Sequence, residues 1–210
     1  MLVIEGIDGT GKTTLAARLA ERIRRTGRSV ALLREPTDGP YGRRIRSLAK
    51  EGRQDILPEE ELELFIQDRI QNCRENIQPA LERGECVVLD RYYLSTVAYQ
   101  GALGLDPQMI LERNEKIAII PDLVLLLDTP VQDGLSRIAA SRPAGPDLFE
   151  NRLYLERVRS IFLGIKRPFI RVLDATRDRD SVFRSAWAVV RQNLENRHQP
   201  APEKPVKKDE

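Results

Sequence analysis

The chain has 210 residues, 41% apolar and 31% charged, which is the make-up of an ordinary soluble globular protein and a length that suits one domain with a full core. Its 34 basic and 32 acidic residues leave a net charge of +2, which gives no case for nucleic acid as the main partner. The longest apolar run, residues 123–127, is far too short to span a bilayer, and no membrane partner is expected.

In chain order, residues 2–5 read as a short buried strand that runs straight into Gly6-Ile7-Asp8-Gly9-Thr10-Gly11-Lys12-Thr13-Thr14. The first residues read as that strand rather than as a cleavable signal, so a cytoplasmic setting is expected. The nonapeptide fits G-x-x-x-x-G-K-[ST] in full, and Leu15, Leu19 and Ile23 after it have helical spacing over 12–26. Strand, glycine-rich turn and helix together make a phosphate cradle. Glycines let several N–H groups point at one phosphate, and the helix dipole favours the negative charge. Lys12 would reach the β- and γ-phosphates of a nucleotide, and the Thr13 hydroxyl would bind Mg²⁺.

A second strand, 29–34, ends at Glu35, which suits either a metal-bound water or arginine partner, or a plain loop carboxylate. The turn-rich stretch 37–42 follows. A helical pattern over 58–83 places Phe65 and Arg69 four residues apart on one face, where a ring and a guanidinium could stack on a base and bond its edge. Taken alone, they also fit a core residue and a surface charge. The apolar strand 86–90 leads into Asp90-Arg91-Tyr92. A carboxylate there matches the strand-end aspartate that positions Mg²⁺ in phosphate-loop proteins, and Arg91 suits a phosphate monoester; a structural Asp–Arg pair is the competing reading. Next, Ser95, Thr96, Tyr99 and Gln100 offer hydroxyl, phenol and amide groups able to read a base or sugar, or else form a capped helix without a ligand.

Helical patterns over 107–116, 131–141, 151–166 and 180–195 flank strands 123–128 and 170–174. Between residues 138 and 152 a Pro-, Gly- and Arg-containing stretch suits a mobile helical lid carrying positive charge, or an ordinary exposed loop. From residue 196 to 210 the composition turns to Pro and Lys, and this tail is expected to be disordered. Cys73 and Cys86 read as plain thiols, and the single histidine, His198, lies in the tail, so no histidine-based acid/base or metal centre is expected. Strands alternating with helices, the central ones lacking alternation, predict an α/β three-layer sandwich on a five-stranded parallel sheet of the P-loop NTPase type, with one domain over 1–195. In such sheets the ligand lies beyond the carboxyl ends of the strands, which gathers Glu35, Asp90 and Arg91 beside the phosphate loop.

These pieces, in this order over residues 2–175, resemble the thymidylate kinases, which phosphorylate dTMP with ATP. The most specific matches are Glu5 to Thr14 and Asp90 to Gly101; Arg34-Glu35-Pro36 with Pro40, Gly42, Ile45 and Arg46 supports them more weakly. The resemblance implies ATP and dTMP as substrates, Mg²⁺ as cofactor and a homodimer. It implies ATP-phosphate contacts along Gly6 to Thr14, and a metal near Thr13, Asp8, Asp90 and Glu150. It implies a dTMP site in which Phe65 stacks on thymine, Arg69 bonds its edge and Thr96 and Gln100 read the base. Tyr99 would pack under the sugar, Asp8 would lie near its hydroxyl, Arg91 would hold the phosphate, and Glu35 and Ser95 would complete the site. Asp174-Ala175-Thr176 would lie close to adenine.

Two departures bear on function. Thr37-Asp38-Gly39 stands where the family usually has Gly-Gly-Thr, which adds a carboxylate close to the acceptor site. Leu148 stands where the lid often has arginine, and Ile7, Asp8, Gly9 and Thr10 include no basic residue, so the catalytic arginine is expected at Arg142, with Arg137 and Arg152 in reserve. Lys12, Arg91 and Arg142 form the expected catalytic set. The rivals are a kinase for another nucleoside monophosphate and a nucleotide-binding regulatory protein.

Overall fold

A computed structural model describes residues 1–51, 56–140 and 148–196, with only the backbone described for 148–151 and 196. Five strands build one sheet: β1 (Leu2–Gly6), β2 (Val30–Arg34), β3 (Cys86–Asp90), β4 (Leu123–Asp128) and β5 (Ile170–Asp174). Their order is β2-β3-β1-β4-β5, and every pairing is parallel. The central strands are apolar on both faces because helices cover both. Alternate residues sort cleanly between the two cores. Leu2, Ile4, Val88, Leu123 and Leu125 pack with Leu15, Leu19 and Ile23 of α1 (Lys12–Arg24) and Ala186 and Val190 of α9 (Arg179–Asn196). Val3, Val87, Leu89, Val124 and Leu126 face the other way. They meet Leu62 and Ile66 of α3 (Pro58–Asn72), Val97 of α5 (Tyr93–Ala102), and Val158 and Phe162 of α8 (Leu148–Gly164).

The expected three-layer α/β sandwich is present, and the helices differ in detail. Residues from Pro40 do not form a loop: Pro at the first position and the apolar Ile45 and Leu48 stripe build α2 (Pro40–Glu51). The long pattern over 58–83 is broken into α3, a π-helical turn at Cys73–Ile77, and α4 (Gln78–Glu82). Ser95, Thr96, Tyr99 and Gln100, which suit base- or sugar-reading groups or a capped helix, lie on α5; α6 (Pro107–Glu115) and α7 (Val131–Ala139) fall close to expectation. The eighth helix starts at Leu148, three residues earlier than its periodicity indicates. Of the expected lid, residues 138–140 and 148–152 belong to or adjoin α7 and α8, while 141–147 lie outside the described residues, as does the tail from 197.

Register sets the site. Gly6 pairs with Leu127, Arg34 with Asp90, and Asp128 with Asp174, so all five carboxyl ends finish at one edge. The chain goes from β1 outward to β2, and later crosses from β3 over β1 to β4. That reversal opens a crevice above β1, the position a ligand takes in open α/β sheets.

Candidate active site

The phosphate loop bends through three glycines with positive φ: Gly6 (140°), Gly9 (81°) and Gly11 (87°). Two of them also allow close approach. A Cβ on Gly6 would lie 2.5 Å from the Leu127 carbonyl oxygen, and one on Gly9 only 2.2 Å from that of Gly134 in α7. The loop is thus wedged between β4 and α7, with Gly11 left-handed at the N-cap of α1. Lys12 is only 6% exposed; its Nζ donates to the Ile7 carbonyl at 2.6 Å and lies 3.9 Å from Asp8 Oδ1. Burial, then the neighbouring Arg91, pull its pKa down to about 7. A phosphate placed beside Nζ would favour its charged form.

Arg91 follows β3 and holds φ 67°, a left-handed seat that costs a non-glycine residue roughly 1–2 kcal/mol. Its side chain explains why the seat is kept. Nη2 pairs with Asp8 Oδ1, Nη1 donates to Ser95 Oγ at 3.1 Å and reaches the Gly6 carbonyl at 3.5 Å, and the guanidinium lies 5.2 Å from the Tyr99 ring centre. Lys12 and Arg91 therefore converge on a single oxygen of Asp8. Burial alone would raise the Asp8 pKa, but Arg91 and Lys12 hold it below the usual carboxylate range. The second Asp8 oxygen accepts from the Tyr99 hydroxyl at 3.2 Å, and Tyr99 is braced by Tyr154, whose hydroxyl donates to the Tyr99 carbonyl at 3.1 Å.

Beyond Arg91, α3 and α5 enclose a buried polar chain. Arg69 has no exposed surface. It donates to Asn114 Oδ1, to Glu35 Oε2 at 2.5 Å and to Thr96 Oγ1 at 3.1 Å. Burial pushes the Glu35 carboxyl above its ordinary range, although Arg69 and Asn72 draw it back; Asn72 donates to its Oε1 at 3.0 Å. Gln100 donates to Glu61 Oε2 at 3.0 Å. Arg69 Nε and Gln100 Oε1 are buried and find no hydrogen-bond partner among the described residues. A buried donor and acceptor left open on facing helices suit the polar edge of a base. Phe65, on the same helix as Arg69, is half-buried and belongs to neither of the two cores.

The metal set divides. Thr13 Oγ1 donates to Asp90 Oδ2 at 2.6 Å, while Asp90 Oδ1 is buried without a partner among the described residues. Two hard oxygens with one lone carboxylate oxygen to spare fit Mg²⁺, which binds through few protein groups and keeps water and phosphate oxygens. Asp8 is engaged by Arg91 and Tyr99 instead, and the side chain of Glu150 lies outside the description. Asp38, the family departure, does not face the acceptor side unneutralised: Arg34 and Arg46 each donate to its Oδ1 at 2.9 Å. Thr37 is fixed by Asp68, which accepts its N–H at 2.8 Å and its hydroxyl at 2.5 Å.

On the far side of the phosphate loop, a cleft of about 850 Å³ is lined by Gly11, Arg18, Arg137, Ala175, Thr176 and Arg177 among others. Arg137 is tied to the Ala175 and Thr176 carbonyls at 3.0 and 3.3 Å, and Asp174 closes that turn by accepting from Thr176. Arg152 pairs with Glu156 at 2.9 Å, and Arg142 lies outside the described residues. Four contributors had no functional reading from sequence: Glu5, Glu61, Asn72 and Asn114. Glu5 alone carried a signal, being the one charge in an apolar buried strand.

Phosphate loop, strand-end aspartate and the cleft beside the loop define a P-loop α/β protein equipped for phosphoryl chemistry. A family model for thymidylate kinase matches residues 4–186. The chain is 50% identical over 190 residues to a thymidylate kinase of Xanthomonas euvesicatoria pv. vesicatoria, covering 90% of this chain and 82% of that one. It is 48% identical over 190 residues to one of Xanthomonas oryzae pv. oryzae, again covering 90% and 82%. It is 45% identical over 194 residues to one of Desulfotalea psychrophila, covering 92% and 95%. The chain belongs to the thymidylate kinase family.

Proposed function

We propose that this protein transfers the γ-phosphoryl group of ATP to dTMP, giving dTDP and ADP. One observation carries the reading: Lys12 from the phosphate loop and Arg91 from the end of β3 meet on the same Asp8 oxygen. Two cations so close, on two different elements, suit two phosphates brought end to end. Lys12 serves the donor phosphates together with the N–H groups of residues 6–14. Arg91 fixes the acceptor phosphate, and Asp8 keeps both cations in place. That phosphate is already ionised at neutral pH, so the reaction needs alignment and charge neutralisation more than a base.

Thymine takes the pocket of Phe65, Arg69, Thr96 and Gln100, where Arg69 Nε and Gln100 Oε1 stand open. Ser95 and Glu35 act behind it, on Arg91 and Arg69. Tyr99 lies under the sugar. The adenine and ribose of ATP take the cleft at Arg137, Ala175 and Thr176. Thr13 and Asp90 would hold Mg²⁺, which when bound neutralises phosphate charge. Arg142 supplies the lid's charge to the transferring group. The same reading carries a homodimeric assembly and a cytoplasmic setting; among the described residues no helix is long and apolar enough to cross a membrane.

Turnover measured with ATP across dTMP, dUMP, dCMP, dGMP and UMP tests the reading. The expected result is the highest kcat/KM for dTMP. A different preferred monophosphate overturns the substrate, and ATP consumption indifferent to every monophosphate overturns the kinase reading in favour of a nucleotide-dependent switch.

A further inference from the structure

Glu5 is the last residue but one of β1, between Ile4 and Gly6, and it has no exposed surface. A carboxylate so placed survives only if its oxygens are filled. They are filled by one short segment of chain. Oε1 accepts the backbone N–H groups of Tyr92 at 2.9 Å and Ser95 at 3.0 Å; Oε2 accepts the Ser95 hydroxyl at 2.5 Å. Tyr92 is the N-cap of α5 and supplies no side-chain cap, so Glu5 caps that helix from the neighbouring strand. The Ser95 oxygen in turn accepts from Arg91 Nη1 at 3.1 Å. The donors run in one direction, from guanidinium to hydroxyl to carboxylate. The two backbone bonds fix residues 92 and 95, immediately after the left-handed Arg91.

We propose that Glu5 is the positioning residue for Arg91: it locks the turn between β3 and α5 and, through Ser95, aims the guanidinium that receives the acceptor phosphate. The inference rests on the reading of Arg91 as the acceptor-phosphate group, and it assigns Glu5 no contact with either substrate. The ionised carboxylate accepts at both oxygens, whereas an amide in its place has only one acceptor oxygen. If that oxygen keeps the two N–H groups, the amide nitrogen faces Ser95 Oγ as a donor, and the Ser95 O–H loses its acceptor.

Kinetics of the full chain with ATP and dTMP, in a double-mutant cycle of Glu5→Gln and Arg91→Ala, test it. Glu5→Gln is expected to raise the KM for dTMP at least tenfold while the KM for ATP stays within twofold. In the Arg91→Ala background the same exchange adds no further rise. Equal losses toward ATP and dTMP, or additive losses in the double variant, would overturn the proposal by showing a general structural role. An Arg91→Ala protein with unchanged KM for dTMP would instead overturn the reading of Arg91. A raised KM in Arg91→Ala with an unchanged one in Glu5→Gln sinks Glu5 alone. If Glu5→Gln fails to fold, Ser95→Ala, which keeps the carboxylate and its two backbone bonds, takes its place in the same cycle with the same deciding outcomes.

Discussion

Arg69 shows how one side chain can serve both stability and recognition. It is fully buried, and its charge is met by Glu35, with Asn114 and Thr96 accepting further N–H groups. Removing one partner of a buried ion pair strands the other, at a cost of about 3–5 kcal/mol. Arg69→Met is therefore expected to lower the unfolding free energy by about that amount and to raise the KM for dTMP. The two effects separate in Arg69→Met/Glu35→Gln. There the orphaned carboxylate becomes an amide that Asn72 can still meet, so urea unfolding should recover much of the lost stability while the KM stays high. If stability and KM recover together, Arg69 is a packing element and not the base-edge group. The sign of the Glu35 shift agrees: burial already raises its pKa with Arg69 present, so without Arg69 the carboxyl is driven further toward its neutral form.

At the scale of elements, the phosphate loop depends on contact with α7 as much as on its own glycines. Gly9 and Gly11 both have positive φ, but a Cβ on Gly9 runs into the Gly134 backbone, whereas one on Gly11 meets nothing within 4 Å. Gly11→Ala should cost only the conformational strain, roughly 1–2 kcal/mol. Gly9→Ala should cost clearly more and abolish stabilisation by ATP, since the loop must move off α7 to make room. Urea unfolding of both variants without nucleotide reads the difference, and equal costs would sink the packing argument. The contrast also marks what the sequence makes legible. The loop, Thr13 and the apolar strands are set by neighbours a few residues away, so spacing reveals them. The contact of Gly9 with Gly134, the Asn114 partner of Arg69 and the Glu5 cap on α5 join residues tens of positions apart, and no local pattern encodes them. α2 was hidden because Pro40 and Gly42 read as turn residues; in the fold Pro40 opens the helix, and Gly42 lets it pass the Thr37 backbone, where a Cβ would lie 1.9 Å from a carbonyl oxygen. The π turn after Asn72 was equally invisible, since the apolar spacing runs on through it.

For the whole molecule, the ligand-free site is a place where charge is held at a loss, and this couples stability to pH. Burial first, then Arg91, lower the Lys12 pKa from 10.5 to about 7. In the unfolded chain Lys12 keeps its proton to pH 10.5, while in the folded protein it has largely lost it above pH 7. Between those values the unfolded state binds more protons, so the Lys12 contribution makes the fold more stable as pH rises and less stable as pH falls toward 7. Relative to a Lys12→Met variant, the wild-type unfolding free energy should climb by roughly 1.4 kcal/mol per pH unit between pH 7.5 and 9.5. Glu5 acts on the other side of neutrality. Burial raises its pKa to about 7 against the lowering effect of Ser95 and Arg91, so its contribution is full below pH 4.5 and fades as pH rises through 7. Together the two groups place a stability minimum near pH 7 in the empty protein. Bound phosphates should erase the Lys12 arm, because they hold the ammonium charged; ATP binding at pH 8 is then accompanied by proton uptake, readable by calorimetry in buffers of different ionisation enthalpy. Parallel stability curves for wild type and Lys12→Met, with no proton taken up on binding ATP, would show that Lys12 is already fully charged in the empty loop and that phosphate does not change its state.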